Sequence, residues 1–259
     1  MNKRGYIAIA VIVLLAAAAV AYFGFLRPSA DDKSASSGKG KVIVALDAGH
    51  GGKDPGATSG DFTEKTVNLA VVKKIEALLA TDPQIRTITT RSVDVYVPLE
   101  ERIRIAQDGG ASVYVSVHVN SFSQSDVSGV ETWVDTMRKD SDPSWTLAAM
   151  LEDAVTSATG ARNRGIRTQE SYTQRTTMPA VTVEMGYITN PAERALLFDS
   201  LYQDKIAAGI VSGIRQFVAW RIANTPSTTA PATTTKTATP ATSTTKTTTP
   251  TTSTAKPKP

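Results

Sequence analysis

Between Lys41 and Arg221 short β-branched runs alternate with stretches whose apolar residues recur at helical spacing, and this alternation constrains the fold more than any other property of the sequence. Strands that alternate with helices build an α/β domain with a largely parallel sheet. Val42 to Leu46 is a short apolar strand run that ends in a glycine-rich turn. From Glu64 to Ala80, Val67, Val71, Ile75, Leu78 and Leu79 fall on one helical face. Further strands are expected at Arg86 to Thr90, Val113 to Asn120, Val130 to Val134 and Ala180 to Glu184, and helices at Leu99 to Asp108, Ser144 to Ala158 and Tyr202 to Ala219.

The flanking segments have a different character. After Lys3 and Arg4 comes an uncharged run of twenty residues, Ile7 to Leu26, which as a helix spans about 30 Å, one hydrocarbon core. Residues 1–27 therefore read as a signal anchor or a signal peptide, with the basic start on the cytoplasmic side and the remainder exported. Ala19-Val20-Ala21 has the small-x-small form of a cleavage site, yet the apolar run continues through Phe23 and Phe25, which favours the anchor. The expected location is the outer face of the cytoplasmic membrane, held there by the N-terminal helix, or the cell wall or periplasm after cleavage. Residues 28–40 read as a linker. From Pro226 the composition collapses to Thr, Pro, Ala, Ser and Lys in a ten-residue near-repeat, so 222–259 reads as a disordered tail that cannot form a core.

Charge excludes one class of partner. Residues 41–221 carry 19 Lys and Arg against 22 Asp and Glu, whereas 1–40 holds five against two and 222–259 four Lys with no acid. A nucleic-acid-binding domain would carry its basic groups on the folded body, so no nucleic-acid partner is expected. The absence of cysteine removes disulfides, thiolate nucleophiles and Cys-type zinc sites together. Any metal must be held by carboxylates and by His50 and His118, the two histidines.

Four residues stand out by position. His50 lies in Asp47-Ala48-Gly49-His50-Gly51-Gly52, directly after a strand, where open α/β sheets bind ligands. The turn matches neither GxGxxG nor a P-loop, which argues against a phosphate cradle. In Val113 to Asn120 the valines occupy one face and Tyr114, Ser116, His118 and Asn120 the other, so His118 is either a satisfied core histidine or a ligand. Glu184 ends an otherwise apolar strand and needs a partner, an arginine or a metal. Glu64 opens the first long helix, where Asp61-x-x-Glu64 can form a cap. Together the two histidines and a glutamate make a zinc-binding set with a further glutamate to spare. Zinc hydrolases commonly use three such ligands and leave a fourth position for water.

The stretches LDAGHGGKDPGA (46–57), Glu64 with Asn68, TRSVDVYVPLEERIRIA (90–106), SVHVNS (116–121), NRGIR (163–167) and TMPAVTVEMGYITNPAE (177–193) occur in this order. Over about 180 residues, Val42 to about Phe217, the chain resembles the zinc-dependent N-acetylmuramoyl-L-alanine amidases of the amidase-3 type. The resemblance implies a single domain, 41–221, with a twisted, mostly parallel sheet flanked by helices. It implies one Zn2+ held by His50, Glu64 and His118, and Glu184 as the catalytic carboxylate. The implied substrate is peptidoglycan, cut at the amide between N-acetylmuramic acid and L-alanine. Asn120 then orients ligand or substrate and Arg164 binds a substrate carboxylate, unless either is merely structural. Some members carry a long helical insertion, after the strand equivalent to Val130–Val134, that plugs the site until a partner removes it. Here 49 residues separate Val134 from Glu184, so no obligatory activator is expected. A zinc peptidase trimming the stem, or a non-catalytic wall-binding module, are the rival functions.

Overall fold

Alternation decides which side of each strand is covered. In β1 (Val42–Ala48), β5 (Val113–Asn120) and β8 (Ala180–Tyr187), Leu46, Val115, Val117, Val181 and Val183 point to one face and are enclosed. The structure, a computed structural model, describes residues 40–224. The remaining elements are β2 (Thr58–Ser59), β3 (Phe62–Thr63), α1 (Glu64–Leu79), β4 (Ile85–Thr89), α2 (Leu99–Asp108), β6 (Val130–Asp135), α3 (Pro143–Thr159), β7 (Asn163–Gln169), α4 (Pro191–Leu197) and α5 (Ser200–Asn224), with a 3-10 turn at Tyr172–Arg175 before β8. Val67, Val71 and Ile75 of α1, Leu147 and Leu151 of α3, and Ile206, Ile210, Ile214 and Phe217 of α5 cover the valine face. On the opposite face Ile103 and Ala106 of α2 pack on Ala45, Tyr114 and Ala180.

The six-stranded sheet runs β4-β1-β5-β8-β6-β7. β4, β1, β5 and β8 are mutually parallel, β6 runs antiparallel to β8, and β7 is parallel to β6. A single α/β domain with a mostly parallel sheet and helices on it is therefore what the alternation promised. The C-terminal ends of β1, β5 and β8, the N-terminal ends of β6 and β7, and the start of α1 all meet along one edge.

Several boundaries differ from expectation. β8 continues past Glu184 to Tyr187, which places the carboxylate inside the strand rather than at its end. α5 extends to Asn224, beyond the expected domain limit at 221. β7 and α4 were not anticipated: Asn163–Gln169 is a polar, half-exposed edge strand without apolar alternation, and α4 is only seven residues long. The Asp61-x-x-Glu64 cap does not form. Thr63 occupies the N-cap, but its hydroxyl bonds the Thr66 hydroxyl and makes no capping bond, and Glu64 turns its carboxylate elsewhere. The apolar run 7–26 and the tail from 226 lie outside the described residues, and among the described residues no helix is long and apolar enough to cross a membrane.

Candidate active site

The loop that follows β1 is held by buried charge. Asp47 is fully enclosed and accepts four hydrogen bonds, from Thr90 Oγ1 and Arg102 Nη1 at 2.6 Å each, from Ser116 Oγ at 2.7 Å and from Tyr172 Oη at 2.9 Å. Burial raises its pKa, but Arg102 and the hydroxyl donors outweigh that and hold it at about 2. Arg102 also donates to the Ala48 carbonyl and, through Nη2, to the His50 carbonyl at 2.8 Å. Arg91 donates to the carbonyls of Ala48 and Gly49. Two guanidinium forks thus satisfy three successive loop carbonyls that no sheet partner reaches. Their grip stabilises His50 at φ 61°, a left-handed conformation that costs a β-carbon-bearing residue about 1–2 kcal/mol. Gly49 is required by space rather than angle: a β-carbon there would lie 2.2 Å from Cε1 of His118.

Glu64 stands between the two imidazoles. Its Oε1 lies 2.8 Å from His118 Nδ1 and its Oε2 3.2 Å from His50 Nε2. The backbone N–H groups of Ala57 and Val119 donate to the same carboxylate, and Asn68 Nδ2 donates to Oε1 while also bonding the Gly49 carbonyl. Asp54 accepts from His50 Nδ1 at 2.9 Å, which fixes that ring from behind. Burial pulls the His50 pKa down, but the hydrogen bond and charge of Glu64, then those of Asp54, raise it to about 9. Burial pulls His118 down as well, but the hydrogen bond of Glu64 and the charges of Glu184 and Glu64 raise it on balance, and Glu64 is driven well below the carboxylate range by the two rings despite its burial. One donor atom from each of His50, Glu64 and His118 lies within 4.8 Å of the others, so the three side chains can share one metal ion.

Glu184 lies beside this trio. It is the direct cross-strand partner of His118 on β5 and of Glu131 on β6, so the three side chains share a face. Among the described residues no arginine pairs with it, and its enclosed Oε2 has no hydrogen-bond partner. Burial, with further repulsion from Glu64 and Glu131 and opposed by His118, pushes its pKa up to about 7. Arg164, expected to bind a substrate carboxylate, pairs with Glu131, where its Nε donates to Oε1 at 2.5 Å. Asn120 Oδ1 accepts from the Ser121 N–H, and Nδ2 donates toward Glu131 at 3.5 Å. All six residues singled out in the sequence therefore gather on one edge. Asp47, Arg91, Arg102 and Glu131 were not foreseen. For Glu131 a signal existed, since it interrupts an apolar strand as Glu184 does.

A family model described as N-acetylmuramoyl-L-alanine amidase matches residues 44–216. The chain belongs to this amidase family. It is 32% identical over 190 residues to N-acetylmuramoyl-L-alanine amidase LytC of Bacillus subtilis, covering 72% of this chain but 38% of LytC. It is 35% identical over 193 residues to the uncharacterized protein YqiI of the same organism, covering 74% of this chain and 91% of YqiI. Among solved amidase structures, the catalytic domain of CwlV from Bacillus (Paenibacillus) polymyxa var. colistinus superposes with a TM-score of 0.65 at 38% identity, covering 69% of this chain and 98% of that domain. The N-acetylmuramoyl-L-alanine amidase of Clostridium difficile 630 gives 0.67 at 32% identity, covering 70% and 98%.

Proposed function

We propose that this chain hydrolyses the amide bond between N-acetylmuramic acid and L-alanine in peptidoglycan, with zinc held by His50, Glu64 and His118 and with Glu184 as general base. The observation that carries the reading is an unpartnered, enclosed carboxylate oxygen on Glu184 in the strand next to three convergent metal donors. A buried polar atom left unsatisfied is costly, and a reacting group removes that cost. The donor set suits zinc: two imidazoles and one carboxylate are a hydrolytic ligand set, and Asp54 behind His50 is the outer carboxylate that such histidines ordinarily carry. When bound, zinc supplies a Lewis acid toward the scissile carbonyl and the attacking water.

The chain's own residues do the rest. Glu184 takes a proton from the water as it attacks the lactyl carbonyl, with a pKa near neutrality that suits both halves of the transfer. The C–N bond then breaks, and the same carboxyl returns the proton to the departing nitrogen of L-alanine. The products are a lactyl carboxylate and a free stem peptide. Arg91 and Arg102 keep the His50 loop in one conformation throughout. Between Val134 and Glu184 lie one ordinary helix, one edge strand and a 3-10 turn, which supports activity without an activator. Residues 1–27 are proposed as the anchor or signal that exports this domain, and 222–259 as a tail of Thr, Pro and Lys.

Mass spectrometry of peptidoglycan digested by the purified, zinc-loaded chain tests this. Glycan strands with free lactyl groups and intact released peptides are expected with no second protein added. Shortened stems still attached to muramic acid would establish the zinc peptidase instead. No cleavage until another protein is supplied would overturn the open site.

A further inference from the structure

We propose that Tyr172 is a positioning residue for the metal centre, its hydroxyl holding the His50 loop, through Asp47 and Arg102, in the pose from which His50 ligates. The inference rests on the amidase reading with zinc at His50, Glu64 and His118, and it makes the 3-10 turn after β7 a part of what shapes the site. Tyr172 opens that turn. Its hydroxyl donates to Asp47 Oδ2 at 2.9 Å, Asp47 Oδ1 accepts from Arg102 Nη1 at 2.6 Å, and Arg102 Nη2 donates to the His50 carbonyl at 2.8 Å. Three hydrogen bonds in series therefore join the turn to the backbone of a metal donor.

The Asp47 carboxylate is gripped evenly. Oδ1 accepts from Thr90 and Arg102, and Oδ2 from Ser116 and Tyr172. Two donors on each oxygen fix both its twist and its tilt, and a planar guanidinium bonded to it follows its orientation. Thr90, Ser116 and Arg102 belong to the parallel strands and α2, whereas Tyr172 arrives from beyond β7. The turn that delivers it is itself pinned. Arg138 Nη2 donates to the carbonyls of Thr173 and Thr176 at 2.9 and 2.8 Å, Asp135 Oδ2 accepts from the Ser171 N–H at 2.6 Å, and Arg175 pairs with Glu100 of α2 at 2.7 Å.

The hydroxyl and the ring of Tyr172 do separable work. The ring meets Tyr114 edge to face, with centroids 6.4 Å apart, and phenylalanine preserves that packing. The hydroxyl both accepts and donates: the enclosed Tyr114 Oη lies 3.2 Å from it and supplies a proton to it, while its own proton goes to Asp47. Hydroxyls chained in this way onto a carboxylate strengthen one another. Burial and the Asp47 charge push the Tyr172 pKa well above the usual phenol range, so it stays a donor at every pH at which the domain is folded.

The test is Tyr172→Phe in the full chain, with zinc affinity read by competition against a chromophoric chelator. Zinc should bind about 10-fold more weakly, and kcat should fall about 10-fold with KM within about twofold of wild type. In the metal-free protein the amides of Gly49 and Gly51, bonded to the carbonyls of Val117 and Asp54, should exchange about 10-fold faster. Thr132→Val is the control: it removes a hydroxyl bond to the buried Glu152 carboxylate on the α3 face of the sheet, and should lower the melting temperature without moving zinc affinity or those two amides. An equal loss of zinc affinity in the control overturns the proposal, as does a Tyr172→Phe protein with wild-type zinc affinity and exchange. If Tyr172→Phe does not fold, Arg175→Ala decides, since it frees the turn from α2 at an exposed pair. Zinc bound about 2- to 5-fold more weakly there supports the proposal, and unchanged binding refutes it. If the wild type binds no zinc, the metal reading is what fails, and exchange at Gly49 and Gly51 still decides whether Tyr172 holds the loop.

Discussion

Replacing Gly49 by alanine isolates the geometry of the trio from the stability of the fold. Gly49 is not among the residues at positive φ, so alanine meets no backbone strain there. Its β-carbon, however, would stand 2.2 Å from Cε1, 2.3 Å from Nε2 and 2.7 Å from Nδ1 of His118, an overlap with the whole ring. Ordinary contact begins at about 3.5 Å, so the imidazole must retreat by roughly 1 Å or more. It has nowhere to go without leaving Glu64, since its Nδ1 to Oε1 distance is 2.8 Å. A displacement of that size costs on the order of 100-fold in rate. Zinc affinity should fall as well, by roughly 10- to 100-fold, the range seen when the groups that orient ligands are disturbed. Gly60 is the control. It has φ 58° and open space around the added carbon, so Gly60→Ala should cost about 1–2 kcal/mol of stability and leave zinc untouched. Zinc content by atomic absorption, amide hydrolysis and urea denaturation on both proteins separate the effects. A Gly49→Ala protein with wild-type zinc affinity and more than a tenth of wild-type activity would refute the role given to His118.

Glu184→Gln should abolish turnover while keeping zinc, and should stabilise the metal-free domain. The folded pKa is raised from 4.5 to about 7, so ionising this acid costs the native state as pH climbs through that window; the gain should be absent below pH 4.5 and reach at most about 3 kcal/mol above pH 7, read from thermal melts. Asp47→Asn should destabilise the domain by about 3–5 kcal/mol in urea, because Arg102 loses its buried counter-charge. In the wild type that contribution should be intact above pH 3.8 and fade as pH falls through about 2, since the folded pKa is depressed. Zinc binding at pH 7 should release protons and tighten up to about pH 9, because His50 must shed a proton held to about 9 before it can ligate. Calorimetry in two buffers of different ionisation enthalpy measures this, and proton uptake would contradict the ligand assignment.

What could be read from the sequence follows the range of the interactions involved. The alternation of Val113–Asn120 assigned His118 to the polar face before any partner was known, because strand period is a local property. That His118, Glu184 and Glu131 are neighbours depends on strand order, and the placement of β8 between β5 and β6 is decided by packing across the whole sheet. Nothing in their immediate neighbours sets Arg91 and Arg102 apart from other cations of the chain. The loop carbonyls they hold, those of Ala48, Gly49 and His50, lie 42 to 54 residues away, which no window of sequence reveals. The first turn of α1 misled for the opposite reason: a local capping pattern was present, but two histidines compete for Glu64 and win, since charge-assisted bonds are roughly twice as strong as neutral ones. α4 carried a legible start in Asn190-Pro191, whose side chain accepts from Ala192 and Glu193.

The reversal of β6 and β7 partitions the loops into two populations. Segments 136–142 and 170–179 leave the sheet on its far rim, and of the two only 170–179 returns a side chain to the His50 loop, through the Tyr172 hydroxyl on Asp47. The connection 121–129 spans the near rim, between His118 on one strand and Glu131 on the next. A change of length in those nine residues would therefore redraw the border of the site while the metal donors and Glu184 keep their places.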